Sequence, residues 1–261
     1  MRIIAGPCQH ESIEQSLEIA LHCRDVCKKY ELDYYFKASY DKANRFHNDS
    51  KRGLGLHPTM IDFNIMKMEY KDLKIVSDVH ETDQLPYVVG YLDVIQIPAF
   101  LCRQTDLIKA ACKTGLPVMI KKGQFLAPWD VPGIISKCEE ASEVWIVERG
   151  TSFGYNNLVV DYTGINWMLD NLPTPLVMDC THSTQRPGGL GTGSGGNRDY
   201  VPGLARAASA MGVRNFFLEV HENPAKAPSD GPNMLHLKDF ERVIGDIDAY
   251  SYSDSSKIKK Q

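Results

Sequence analysis

Eight short β-rich runs recur along this chain, and segments with helical periodicity lie between most of them. The runs cover residues 2–6, 33–38, 74–79, 94–97, 117–121, 143–148, 175–179 and 215–220, and the helix-compatible segments cover 12–30, 59–68, 105–113, 132–141, 164–169 and 201–211. Runs such as 94–97 are largely apolar throughout, as strands of a parallel sheet must be when helices cover both faces. Eight βα units close naturally into a TIM (β/α)8 barrel. An open, doubly wound α/β sheet is the other arrangement that this alternation permits. At 261 residues and 43% hydrophobic, the chain can bury a core of barrel size. No linker or compositional break divides it. The expectation is therefore a single (β/α)8 catalytic domain over residues 1–250, followed by a polar, lysine-rich tail over 251–261.

In such a barrel the C-terminal strand ends face the site, so the residues that end each run test for function. The first run leads to Gly6, Pro7 and Cys8, and the second into Lys37 and Lys42. The third ends in Asp78, His80 and Glu81, and the fourth in Gln96 and Phe100. The fifth ends in Lys121 and Lys122, the sixth in Glu148 and Arg149, the seventh in Asp179 and His182, and the eighth in Glu219 and His221. Solvated loops would place Ser, Asn, Asp and Gly at these points, and would seldom put Lys, Arg and His on so many of them.

Two subsets follow. Lys37, Lys42, Lys121 and Arg149 could converge on a small molecule carrying both phosphate and carboxylate, since Arg offers such groups a bidentate fork and Lys a point charge. Cys8, His182 and Glu219 stand on runs 1, 7 and 8, which become neighbours when the barrel closes. Asp230, in the following loop, can fold over them. One thiolate, one imidazole and two carboxylates suit a divalent transition metal, although no local His-x-x-x-His pair announces it. Zinc, iron and manganese all fit such a mixed set.

The formal net charge of −4 argues against a nucleic acid or an anionic membrane as partner. No apolar run approaches the roughly 20 residues that cross a bilayer, and the chain opens without a basic-then-apolar leader. A soluble, cytoplasmic protein is the expectation. The seven cysteines are an odd number spread through a long chain, which is not a disulfide framework. Cys23 and Cys27 read as core packing. The glycine-dense segment 186–198 reads as a lid or phosphate-cradling loop with Ser194 as a donor, and it lacks the Gly-Lys-Ser/Thr of a P-loop. Segment 125–130 reads as a rigid βα turn with Trp129 packed.

Several of these motifs carry a family resemblance. They are Gly6-Pro-Cys8, the decapeptide from Phe36 to Arg45, and the stretches 96–106, 121–129, 148–157 and 179–196. Together they resemble the 3-deoxy-D-manno-octulosonate 8-phosphate synthases, over about residues 2–240. The resemblance implies a TIM barrel, homotetrameric, that condenses phosphoenolpyruvate with arabinose 5-phosphate and releases phosphate, in lipopolysaccharide sugar biosynthesis. It places the chain in the metal-dependent class, with Cys8, His182, Glu219 and Asp230 as ligands. Lys37, Lys42, Gln96, Lys121 and Arg149 match the phosphoenolpyruvate positions, with His182 beside the phosphate. Asn44, Arg45, Asp78 and Phe100 match the aldose side, and Arg103 and Ser194 match residues that reach the sugar phosphate from a neighbouring subunit. Lys121, crowded by Arg149 and Lys122, is the expected proton donor through a lowered pKa.

One departure concerns the aldose. The family follows Lys-Ala-Asn-Arg with Ser or Thr, and here Phe46 stands in that place, with 46–70 diverging further. Two other readings fit parts of the sequence. The first is the sister heptulosonate synthase that uses erythrose 4-phosphate, which carries Lys-Pro-Arg-Thr where this chain has Lys42-Ala-Asn-Arg45. The second is a catalytically silent barrel serving as a binding subunit.

Overall fold

The computed structural model describes residues 1–45, 47–48, 50–189 and 194–251. Its core is a closed sheet of eight parallel strands: β1 (Arg2–Gln9), β2 (Asp33–Ser39), β3 (Ile75–Asp78), β4 (Val94–Ile97), β5 (Val118–Lys121), β6 (Val144–Glu148), β7 (Leu176–Asp179) and β8 (Asn215–His221). Each strand pairs with the next in sequence. β8 returns to β1 with Arg2 opposite Asn215 and Gly6 opposite Glu219. This is the TIM barrel, and closure rules out the open sheet.

Eight helices occur among the described residues: α1 (Ile13–Lys29), α2 (Leu56–Glu69), α3 (Leu85–Val88), α4 (Thr105–Cys112), α5 (Val131–Ile135), α6 (Tyr162–Asn171), α7 (Val201–Ala210) and α8 (Phe240–Ser251). Local chemistry sets several ends. Ser12 caps α1 by accepting from the Gln15 amide, and Lys28 and Lys29 sit in its last turn, where the helix dipole favours cations. Asp161 caps α6 through the Thr163 amide. The helix expected over 132–141 stops at Ile135, because Glu139 and Glu140 would place like charge against its C-terminal dipole. The short α3 and the final α8 are additional to the six expected helical segments. The expected tail lies, from residue 252, outside the described residues. None of the described helices is long and apolar enough to cross a membrane.

Strand residues alternate between two buried environments. One set packs outward against the helices, with Ile3, Phe36, Ile75, Ile95, Ile120, Ile146, Met178 and Phe216 among its members. The other fills the barrel interior: Ile4, Tyr35, Val76, Val94, Met119, Trp145, Val147, Val177 and Phe217. Every strand contributes to this inner plug. Tyr35 meets Trp145 edge-on, and the Arg2 guanidinium stacks 4.6 Å from the Trp145 ring. All seven cysteines are free and buried, Cys23 and Cys27 included.

Candidate active site

One step further along each strand, the inward positions change from apolar to ionisable. Tyr35 gives way to Lys37, Val76 to Asp78, Val94 to Gln96, Met119 to Lys121, Val147 to Arg149, Val177 to Asp179 and Phe217 to Glu219. The two-residue period of a strand requires this succession, so the apolar plug becomes the floor of the site. None of these seven residues is more than 6% exposed. β1 departs from the pattern. Its register against β2 slips between Ala5, opposite Phe36, and Cys8, opposite Ala38. A Cβ on Gly6 would lie 2.0 Å from the Lys37 carbonyl oxygen, so the strands approach there only because the residue is glycine. Beyond this bulge Cys8 takes a left-handed φ of 67°.

The cations enter the floor from β2, β5 and β6. Lys37 Nζ donates to Ser39 Oγ at 2.8 Å and lies 3.6 Å from Asp78 Oδ1, and Lys42 Nζ reaches the same Ser39 Oγ at 2.9 Å. Lys121 Nζ lies 2.5 Å from Asp179 Oδ2 and 3.1 Å from the centre of the Phe217 ring. Burial lowers the Lys121 pKa to about 8, with Lys37 adding to that effect and Asp179 opposing it. Arg149 Nη2 donates to Gln185 Oε1 at 3.0 Å, while its buried Nη1 has no partner in the protein. Asp78 Oδ1 and Gln96 Oε1 are likewise buried without a hydrogen-bond donor.

The second group lies across β7, β8 and β1. Ligand atoms of Cys8, Glu219 and Asp230 all fall within 4.8 Å of one another. The Cys8 thiol donates to Asp230 Oδ2 at 3.5 Å. His182 Nε2 stands 3.6 Å from Glu219 Oε1, and its Nδ1 is 2.7 Å from Asp179 Oδ2. A buried carboxylate can only accept, so Nδ1 carries a proton, which turns Nε2 toward Glu219. Asp230 adopts a left-handed φ of 53° and receives Ser229 Oγ at 2.7 Å and Gln185 Nε2 at 2.6 Å. Burial alone would raise its pKa, yet His182, Lys42 and these donors hold it at about 2. The cations line one cavity of about 930 Å³, walled also by Asn44, Arg45, Phe100 and Ser194; of the second group His182 and Asp230 line it, and Cys8 and Glu219 do not.

The profile of the DAHP synthetase I family matches residues 1–249. The chain belongs to this family. Curated relatives carry the name 2-dehydro-3-deoxyphosphooctonate aldolase. That of Rhodopseudomonas palustris (strain ATCC BAA-98 / CGA009) is 48% identical over 246 residues, covering 94% of this chain and 85% of its own. That of Caulobacter vibrioides (strain NA1000 / CB15N) is 48% identical over 252 residues, covering 96% and 87%. That of Fusobacterium nucleatum is 49% identical over 244 residues, covering 93% and 87%.

In this member of the DAHP synthetase I family, most of the expected residues come together. Lys37, Lys42, Asn44, Arg45, Asp78, Gln96, Phe100, Lys121, Arg149, His182, Ser194 and Asp230 all line the cavity. Ser194 does so from this chain itself. Arg103 does not line it: its side chain is exposed and its carbonyl accepts from Lys137 Nζ. Phe46 and residues 190–193 lie outside the described residues. Trp129 is 65% exposed rather than packed, because the short turn Pro128–Asp130 carries it away from the barrel. The lowered pKa of Lys121 arises from burial and Lys37, not from the expected crowding by Arg149 and Lys122; the Lys122 ammonium is paired with Glu148 at 3.2 Å.

Arg45 spends its guanidinium within the protein, on Ser229 Oγ at 2.9 Å, Gln9 Oε1 at 2.8 Å, Pro228 O at 3.1 Å and Lys51 O at 2.8 Å. Sequence reasoning gave no role to Asp179 or Gln185. The inward parity of β7 could have picked out Asp179. Gln185 carries no comparable signal.

The donor set fits a divalent transition metal. Glu219 is 1% exposed, and both its carboxylate oxygens are buried without a hydrogen-bond donor. A buried anion in that state calls for a cation. Cys8, Glu219 and Asp230 would hold it, with His182 Nε2 facing the same space.

Proposed function

We propose that this enzyme condenses phosphoenolpyruvate with arabinose 5-phosphate and water, giving 3-deoxy-D-manno-octulosonate 8-phosphate and phosphate. The observation that supports this reading is the set of charges at the strand ends, in which four cations line a single cavity beside the cluster of Cys8, Glu219 and Asp230. At about 930 Å³ that cavity has room for two small phosphorylated substrates. The name shared by relatives 48–49% identical agrees with the octulosonate product. Nothing in the relatives or in Lys42-Ala-Asn-Arg45 favours erythrose 4-phosphate, and a silent barrel would leave the buried charges without a purpose.

In this reading residues 1–250 form the single catalytic domain. Lys37, Lys42, Lys121, Arg149 and Gln96 neutralise and orient phosphoenolpyruvate, so that a second phosphorylated molecule can approach without repulsion. Asn44, Arg45, Asp78, Phe100 and Ser194 shape the aldose end. Carbon–carbon bond formation leaves charge on the former aldehyde oxygen, and Lys121, with a pKa near working pH, can supply its proton from Nζ. A zinc, iron or manganese ion, when bound by Cys8, His182, Glu219 and Asp230, supplies Lewis-acid polarisation of an oxygen at that end of the cavity.

We read the chain as a cytoplasmic homotetramer. Phe100, Phe125, Trp129, Phe153 and Tyr155 are exposed near the mouth of the barrel, and a neighbouring subunit would cover them and present its own Arg103 to the sugar phosphate. The test is phosphate release from phosphoenolpyruvate with arabinose 5-phosphate, erythrose 4-phosphate and ribose 5-phosphate, before and after a strong chelator. Turnover with arabinose 5-phosphate is expected, and its loss on chelation. Absence of turnover with that aldose overturns the octulosonate reading, and full activity after chelation overturns the metal assignment.

A further inference from the structure

Gln185 touches both halves of the site. Its Oε1 accepts from Arg149 Nη2 at 3.0 Å, and its Nε2 donates to Asp230 Oδ1 at 2.6 Å. The orientation of the amide is fixed by chemistry, because a guanidinium only donates and a carboxylate only accepts. At one end, the unpartnered Nη1 of Arg149 is buried at the cavity floor. At the other, the second oxygen of Asp230 faces Cys8 and Ser229.

The backbones carrying these groups are held firmly. Gln185 pairs with Gly196, where a Cβ would come within 1.5 Å of Asn233 Oδ1. The loop carrying Asp230 is pinned by bonds from the Arg198 amide to Pro232 O at 3.1 Å and from Arg198 Nη2 to Gly231 O at 2.9 Å. With both loops docked, the freedom left to Asp230 is rotation of its carboxylate. Gln185 holds Oδ1 of that carboxylate and Ser229 holds Oδ2.

We propose that Gln185 is a positioning residue that couples anion binding at Arg149 to cation binding at Asp230, so that each ligand strengthens the binding of the other. An anion on Nη1 fixes the plane of the guanidinium, which fixes the Gln185 amide and through it Asp230 Oδ1, so the ordering is met once for both ligands and Oδ2 stays turned toward Cys8. Thermodynamic linkage makes the effect reciprocal. The inference rests on reading the cavity as a phosphoenolpyruvate and metal site.

The test is calorimetric titration of the protein with Mn²⁺, with and without phosphoenolpyruvate, and the reverse titration. In the wild-type protein, phosphoenolpyruvate is expected to tighten Mn²⁺ binding at least about 5-fold, with the same factor in the reverse direction. In Gln185→Met, which keeps the volume and removes the relay, that factor should fall to about 1 while each ligand still binds alone. Gln185→Leu repeats the measurement in case Gln185→Met does not fold. Lack of coupling in the wild-type protein overturns the inference, as does coupling undiminished in either variant. Turnover with arabinose 5-phosphate, measured on the same wild-type preparation, keeps the two readings apart. Turnover without coupling overturns only the relay, and coupling without turnover on any of the three aldoses overturns only the proposed reaction.

Discussion

Asp179 Oδ2 receives the Nζ of Lys121 at 2.5 Å, and that same oxygen holds His182 Nδ1 at 2.7 Å. One buried carboxylate thus sets the charge of the proposed proton donor and the tautomer of a proposed metal ligand. The pH dependence follows from its sign. Burial brings Lys121 from the ordinary lysine range down to about 8, so the ammonium persists below that pH and is lost as pH rises through it. Anion binding and proton donation both require the ammonium. The rate of phosphate release at low phosphoenolpyruvate should therefore fall on an alkaline limb near pH 8. Asp179→Asn removes the anion that favours the charged lysine, so the limb should move to lower pH, with activity reduced about 10- to 100-fold. A limb that stays in place or moves upward would remove Asp179 from this role.

Glu219 offers a test that needs no turnover. Its orphaned, buried carboxylate destabilises the metal-free protein, and a bound cation should relieve this. At a metal concentration 100 times its dissociation constant the expected stabilisation is about 2.7 kcal/mol, or roughly 5–10 °C in Tm for a chain of this size. Glu219→Gln should raise the Tm of the metal-free protein and abolish most of the metal-induced shift. Thermal unfolding of both proteins, with chelator and with Mn²⁺ or Zn²⁺, measures this. An equal metal shift in the variant would mean that Glu219 is not a ligand.

The bulge in β1 makes a sharp prediction about a single methyl group. An alanine at position 6 would set its Cβ 2.0 Å from the Lys37 carbonyl, inside a paired strand that cannot move without breaking the barrel. Gly6→Ala should cost at least about 2–3 kcal/mol and displace both Lys37 and Cys8. By contrast, nothing lies within 4 Å of a Cβ built at Gly203, in the first turn of α7. Gly203→Ala should stabilise by about 0.5–1 kcal/mol. Urea unfolding of the two variants separates them, and a neutral Gly6→Ala would show that the strands can part.

Much of this arrangement was legible from strand parity. Once the runs are placed, Lys37, Asp78, Gln96, Lys121, Arg149, Asp179 and Glu219 fall one step beyond inward apolar residues, so their convergence needs only the closed barrel. Cys8 does not follow that rule. It reaches the metal cluster through a bulge whose only sequence trace is Gly6-Pro7. α8 is legible in the same way, since Phe240, Val243, Ile244 and Ile247 have helical spacing and are all buried. The exposure of Trp129 is not legible, because an aromatic in a loop carries no periodicity to say which way it faces. The contacts of Gln185 and Arg45 join loops across the mouth of the barrel, and no local pattern encodes such distant pairs.

Arg45 is the clearest of these and yields the last prediction. The resemblance assigns it to the aldose, while its guanidinium clamps the loop after β2 to Pro228 and Ser229, beside Asp230. The two roles are compatible if the clamp shapes the wall against which the aldose rests. Arg45→Lys keeps the charge but cannot reproduce a fork that spans Gln9, Pro228 and Ser229. Losing about two such bonds, at roughly 1 kcal/mol each, should lower kcat/KM for arabinose 5-phosphate about 30-fold. Because Asp230 sits on the clamped loop, Mn²⁺ affinity should fall as well, whereas the KM for phosphoenolpyruvate, set by Lys37, Lys121 and Arg149, should change little. Initial rates with each substrate varied in turn, together with a Mn²⁺ titration, distinguish a clamp from a simple aldose contact. A residue that only touched the sugar would leave the metal affinity where it was.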